Sequence, residues 1–184
     1  ACGRAVFQQP VRDCLAIKSG LAFSSAHFSD KGPILLTPGN FKLSGGLIFI
    51  ERNTKRYGGM YPASAVFEHG DLLIVMTDLT PDCNLLGKPA LVDRHEPILH
   101  NQRIGKIQLS SKKVSKAFLY WYFLSDAHAA RMKNTATGST VRHTSNKSIY
   151  ESKIALPPTD AEQQAIADAL SDTDALIESL DQLI

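Results

Sequence analysis

Apolar residues fall in short runs along most of this chain, and their rhythm changes near the end. Val11 to Ile17 reads as a short strand or helical turn leading into Ser19-Gly20. Residues 24–46 are rich in Ser, Gly, Pro, Asn and Asp, with Ile34-Leu35-Leu36 between turn signals. Leu47 to Ile50 is a strand candidate, bounded by Gly45-Gly46 and by polar residues 51–56. Ala65-Val66-Phe67 and the fully apolar strand Asp71 to Met76 flank His69-Gly70, and Pro89 to Val92, Ile98 and Ile104 to Leu109 add further short strands. A helix is expected from Ser115, its cap, to about Lys133, because Leu119, Tyr122, Phe123, Ala127 and Ala130 recur at helical spacing. The aromatics beside Trp121 could stack on bases, but among Leu and Ala at that period they read as core. Asn134 to Thr140 reads as a loop, and no internal repeat is evident.

The final stretch is of another kind. Pro157-Pro158 breaks whatever precedes, and Thr159 stands three residues before Glu162, the spacing of a capping box. Ile166, Leu170, Thr173, Ile177, Leu180 and Ile184 then follow in alternating steps of four and three, the a/d rhythm of a coiled coil. Leu176 and Leu183 widen that seam, and a helix from Asp160 to Ile184 would be roughly 35–40 Å long. The alternative is a C-terminal helix packed on its own domain.

Charge sharpens the division. Seven of the 18 acidic residues lie after Thr159, where no Lys or Arg occurs, so all 20 basic residues stand against 11 acids before it. A body of about +9 is joined to a helix of −7, and the overall +2 hides the contrast. Such a split implies two surfaces with two kinds of partner.

The junction carries a family resemblance. Ile154-Ala155-Leu156-Pro157-Pro158, then Glu162-Gln163-Gln164-Ala165-Ile166-Ala167 and an acidic heptad run, resembles the passage from a target-recognition domain into a conserved spacer helix. The family is the specificity subunit of type I restriction–modification enzymes. Gly70 to Ile74, Asn101 to Ile107 and Gly138-Ser139-Thr140 follow in the order such a domain would show. The resemblance implies an α+β fold: a mainly β recognition domain with a few helices over residues 1–155, then residues 156–184 as the start of a long coiled-coil-type helix. It also implies sequence-specific recognition of double-stranded DNA without catalysis in this chain. The implied partners are methyltransferase subunits, a restriction subunit, and a second recognition half or a homodimer through the C-terminal helix. S-adenosylmethionine, ATP and Mg²⁺ would bind those partners, leaving no cofactor here.

Three polar segments suit nucleic acid. The first is Arg52 to Gly59, a loop between strands whose Arg and Asn side chains can pair with base edges and whose glycines permit close approach; Lys55, Arg56 and Tyr57 belong to it. The second is Asn101-Gln102-Arg103 with Lys106. The third is Gly138 to Thr144, with Ser139, Thr140, Arg142 and His143, and Lys147 beyond. Arg52, Arg56, Arg103 and Arg142 are the expected base readers, because a planar fork of donors matches base edges where an ammonium does not. Lys112, Lys113 and Lys116 are expected at phosphates or in plain solvent, and His143 as a hydrogen-bonded surface residue.

Other chemistry finds little support. No phosphate-binding G-x-x-x-x-G-K-[ST] loop, no G-x-G-x-x-G and no methyltransferase tetrad occurs, and the histidines at 27, 69, 95, 100 and 128 lack metal-ligand spacing, so no metal is expected. Pro81-Asp82 with Glu151-Ser152-Lys153 imitates the acids and lysine of a Mg²⁺-dependent nuclease, a rival reading. A recognition domain of a fused methyltransferase–nuclease is another. Cys2, Cys14 and Cys83, odd in number and scattered, point to a reducing cytoplasm. No run approaches the roughly 18 apolar residues of a membrane span. The start lacks both an initiator Met and a signal-peptide core, and reads as a processed end, a tag remnant or a fragment boundary.

Overall fold

The computed structural model describes residues 7–80, 82–111 and 113–183, Phe7 by its backbone alone; Cys2, Pro81, Lys112 and Ile184 lie outside the described residues. Its centre is the sheet β2 (Leu15–Ser19), β9 (Ile104–Leu109), β5 (Leu72–Val75) and β7 (Pro89–Leu91), in that order and antiparallel throughout. β5 is buried along its whole length. Its side chains alternate between two cores, as a pleated strand requires. Leu72 and Ile74 enter a cluster with Leu119, Phe123 and Ile149, while Leu73 and Val75 enter another with Ile34, Phe41 and Ile98. The fully apolar run is the strand covered on both faces.

On the second side lies a three-stranded sheet of β4 (Lys55–Tyr57), β3 (Phe28–Leu35) and β8 (Ile98–Leu99), with β3 antiparallel to β4 and parallel to β8. On the first side lie α1 (Lys116–Leu124), α2 (Asp126–Thr135) and α3 (Asn146–Tyr150). Two small pairs complete the body. β1 (Phe7–Pro10) joins β11 (Lys153–Leu156), bringing the chain back to its beginning, and β6 (Thr77–Asp78) joins β10 (Arg142–His143). The described chain ends in α4 (Asp160–Asp181), a mixed α+β architecture dominated by strands.

Several expectations fail locally. Leu47 to Ile50 is not a strand, because side chains take the backbone groups a neighbouring strand would need. Asn53 accepts the Ile50 N–H at 2.9 Å and donates to the Ile48 carbonyl at 3.2 Å, while the Thr54 hydroxyl donates to Ile50 O at 2.9 Å. Val66, in the short run before His69-Gly70, makes a single antiparallel bridge to Leu99. The helix expected over 115–133 is two helices. Ser125 is extended (φ −62°, ψ 148°), donates to Tyr122 O at 2.7 Å and accepts His128 N–H at 3.3 Å, ending one helix and capping the next.

Ser115 does cap α1, accepting Phe118 N–H at 3.0 Å, and Leu119 and Phe123 are core. Thr159 caps α4 through Glu162 N–H at 3.2 Å, and its hydroxyl donates to the Glu162 carboxylate at 3.0 Å.

α4 packs on α1, yet not with its apolar seam. The residues it turns inward are Gln163 and Ala167, each 1% exposed. Ser171 next accepts the Trp121 indole N–H at 3.1 Å, and Glu178 meets Lys42 at 2.9 Å. Tyr120 beneath this face has its phenol pushed up to about 12, by burial first and by Asp174 and Glu178 second. Ile166, Leu170, Leu176, Ile177 and Leu180 are left 41–60% exposed. A polar and small-residue face thus holds the helix down while the heptad face looks outward.

Candidate nucleic-acid interface

The first two polar segments meet across a groove of about 230 Å³ on the three-stranded sheet. Lys55, Phe23 and Phe28 line it together with Asn101, Gln102 and Arg103, and Leu35 and Thr37 complete the lining. Phe28 opens β3 opposite Tyr57 on β4. The Lys55 ammonium stands 5.5 Å from the Phe28 ring centroid. Phe23 is set edge-on against the buried Tyr57 ring at 4.9 Å, so the core fixes its position.

Asn101 to Arg103 belong to a rigid turn. The Asn101 side chain accepts the Arg103 N–H at 3.0 Å, and Ile104 N–H donates to Asn101 O at 3.0 Å. Leu21 laces the turn from outside, donating to His100 O and accepting from Gln102 N–H, both at 2.9 Å. Gly20 makes this lacing possible, since a Cβ there would stand 2.3 Å from His100 O. Beneath the turn, His100 donates from Nε2 to Ile104 O at 2.9 Å and lies against Phe67; burial holds its pKa below the usual histidine value. Gln102 and Arg103 are therefore displayed from a backbone with little freedom.

The third segment adjoins the second through Met76. Its N–H donates to Arg103 O at 2.9 Å, and its carbonyl accepts Thr144 N–H at 3.0 Å. Residues 137–143 form a small loop closed by reciprocal Thr137–His143 backbone hydrogen bonds of 3.0 and 2.9 Å. Gly138 turns it at φ +91°, where a Cβ would also strike Val141 O. Ser139 and Thr140 are exposed on this loop. His143 is exposed, with Nδ1 3.0 Å from the Thr77 hydroxyl. Arg142 is half-buried opposite Asp78, and its Nε is buried without a hydrogen-bond partner. The Asp78 carboxylate accepts instead from Thr80 N–H, the Thr80 hydroxyl and Leu85 N–H, each at 2.8 Å.

Other expected contacts are placed differently. Tyr57 is a correction: it is 6% exposed and packs with Leu35 and Leu99, so its ring is core. The segment around it is not simply a loop, since Lys55–Tyr57 is a strand. Arg56 follows Lys55 but pairs with Glu96 and donates to Gly32 O at 2.7 Å. Lys106 lies 2.6 Å from Asp71, whose carboxylate is nearly buried, and Lys147 is an exposed neighbour of Glu151 at 3.9 Å. Arg52 sits in an exposed turn. Phe23 and Phe28 were not foreseen as groove residues. Gly32-Pro33 and a register shift between Ser29 and Ile34 interrupt the alternation that would have marked β3.

For the nuclease reading, Glu151 faces Arg131 at 3.7 Å and Lys147 at 3.9 Å. Among the described residues no three His, Cys, Asp or Glu side chains gather as a metal site, and no helix is long and apolar enough to cross a membrane.

The arginine, lysine, amide and hydroxyl side chains that this small α+β domain sets on short turns are of the kinds that contact nucleic acid. The comparisons make this specific. The type I restriction modification DNA specificity domain matches residues 17–184, and the chain belongs to that family. It is 30% identical over 164 residues to the type I restriction enzyme EcoBI specificity subunit of Escherichia coli, covering 89% of this chain and 31% of that protein. It is 26% identical over 175 residues to the MjaVIII specificity subunit of Methanocaldococcus jannaschii, covering 91% and 39%. The chain thus spans well under half the length of these relatives. The type I restriction–modification S subunit from M. genitalium has the same fold at TM-score 0.68 and 16% identity, over 100% of this chain and 42% of that one. The S subunit from Thermoanaerobacter tengcongensis follows at TM-score 0.64 and 14% identity, again over 100% and 42%. The chain is a DNA specificity domain of the type I restriction–modification family.

Proposed function

We propose that this chain reads one half of a split duplex DNA site for a cytoplasmic type I restriction–modification complex and catalyses nothing itself. Residues up to about 155 are the recognition domain, and residues 156–184 are the start of the spacer helix. Lys55, Arg103, Ser139, Thr140, Arg142 and His143 face the DNA, with arginines and Gln102 at base edges and Lys55 and the hydroxyls at phosphates. The observation that carries this reading is that the first two polar segments line one groove, while the backbone of the third is hydrogen-bonded to the same Met76 that holds Arg103.

The exposed seam of α4 takes a partner helix, either from a second recognition half or from a second copy of this chain. Together they form the coiled coil that spaces two half-sites. Methyltransferase and restriction subunits dock on the resulting assembly and bring S-adenosylmethionine, ATP and Mg²⁺ with them.

Binding to random-sequence duplex at two salt concentrations, with and without Mg²⁺, tests the proposal. Binding that weakens steeply with salt, with no cleavage, supports it. Mg²⁺-dependent cleavage would overturn it and move Asp82, Glu151 and Lys153 to the centre.

A further inference from the structure

Of the two groove aromatics, Phe23 packs against the Leu35–Tyr57–Leu99 cluster, whereas Phe28 belongs to none of the three cores. Phe28 is 42% exposed at the start of a strand, beside a lysine. A single exposed apolar residue needs no explanation. Here, however, Phe28 and Phe23 line a concavity together with Gln102 and Arg103 of the turn. Phe23 is locked edge-on to Tyr57 at 4.9 Å, and the turn is locked by Asn101 and Leu21. The result is a fixed apolar wall next to fixed hydrogen-bond donors.

In the major groove of a duplex the one apolar group on a base edge is the C5-methyl of thymine, and a phenyl ring is among the side chains that contact it. The neighbouring donors match that setting: an Arg fork suits the O6 and N7 acceptors of guanine, a Gln amide the N7 and N6 of adenine. Lys55, beside Phe28, has the reach and charge for the flanking phosphate. We infer that the Phe23–Phe28 groove receives the 5-methyl group of a thymine in the target half-site. This deepens, and rests on, the DNA-recognition reading above.

The experiment uses the full 184-residue chain and synthetic DNA. Duplexes bound by the chain are selected from a random pool, and each thymine of the selected consensus is replaced singly by deoxyuridine, which removes only the methyl. One thymine is expected to respond, its replacement weakening binding about fivefold, the worth of a buried methyl. Phe28→Ala, a substitution on a half-exposed side chain, should bind the thymine and uracil duplexes equally and keep the salt dependence of the parent. A consensus in which every thymine tolerates uracil overturns the inference. So does a uracil penalty of the same size in Phe28→Ala. Failure to select any duplex would sink the recognition reading itself, and the groove assignment with it.

Discussion

The side-chain amide of Gln163 is inserted at the start of α1, where its oxygen accepts the Ser115 N–H at 2.9 Å. Its nitrogen donates to Lys113 O at 2.7 Å and to Pro157 O at 3.3 Å. One buried side chain thereby joins the terminal helix, the start of α1 and the Pro-Pro break. The apolar residues of the same helix contribute less to this attachment than their composition suggests.

Gln163→Ala should therefore cost about 1–3 kcal/mol, because the partly buried Ser115 N–H and Lys113 carbonyl lose their shared partner. Ile166→Ala, on the outer face at 41% exposure, should cost below about 1 kcal/mol. Urea unfolding of both variants checks the ordering. An Ile166 cost above the Gln163 cost would mean that the helix is held by its seam.

Much of the scaffold was legible in the sequence. The apolar run from Asp71 to Met76 announced a strand, and Ser115 and Thr159 announced caps, because each depends on residues within one turn or one strand. Leu47 to Ile50 and the single helix over 115–133 were misread for a shared reason. Asn53 and Ser125 supply backbone partners from side chains, and that competition is invisible to hydrophobic period. The same limit shaped the site. Polar segments could be named, but the burial of Tyr57 and the pairing of Lys106 with Asp71 are set by strand register. Gln163, which holds α4 down beside the small Ala167, carries no hydrophobic signal at all.

Register separates two lysines that composition treats alike. Lys55→Ala, on the groove, should weaken binding to all sequences and lower the salt slope by about one ion. Lys106→Ala should leave DNA binding nearly unchanged and cost about 1–3 kcal/mol of stability, since Asp71 loses its ion pair in a nearly buried position. Arg103→Ala should lose about 1–3 kcal/mol of discrimination at one base pair. Salt titrations and a base-substitution series read these out separately. Equal salt slopes for both lysine variants would refute the assignment.

Acid should destabilise the fold through His128. Burial, with Lys88 adding repulsion, lowers its pKa to about 4 from an ordinary 6.5, so the neutral ring is the folded form. The unfolded chain then binds the extra proton first. Stability is full above about pH 6.5 and falls as pH drops toward 4, by up to about 3 kcal/mol from this group. His100, also shifted down by burial, acts in the same direction. His128→Leu should flatten much of the slope between pH 7 and 4 in pH-dependent denaturation. An unchanged slope would place the acid sensitivity elsewhere.

The outward seam of α4 makes the last prediction. Leu170 and Ile177 are 41% and 51% exposed, so replacing both by Asp removes little intramolecular packing and should leave the urea midpoint of the isolated chain nearly unchanged. Paired with another helix, the same positions would be core knobs, and two buried carboxylates would be prohibitive. Self-association of the parent chain should accordingly be abolished in Leu170→Asp/Ile177→Asp, as read by sedimentation over a concentration series. The acids of this helix set the salt response. Two copies bring −14 of charge together, so added salt should strengthen association by screening that repulsion, opposite in sign to its effect on DNA binding. A parent chain that stays monomeric at high salt and high concentration would exclude a second copy as occupant. The seam would then belong to a second recognition half.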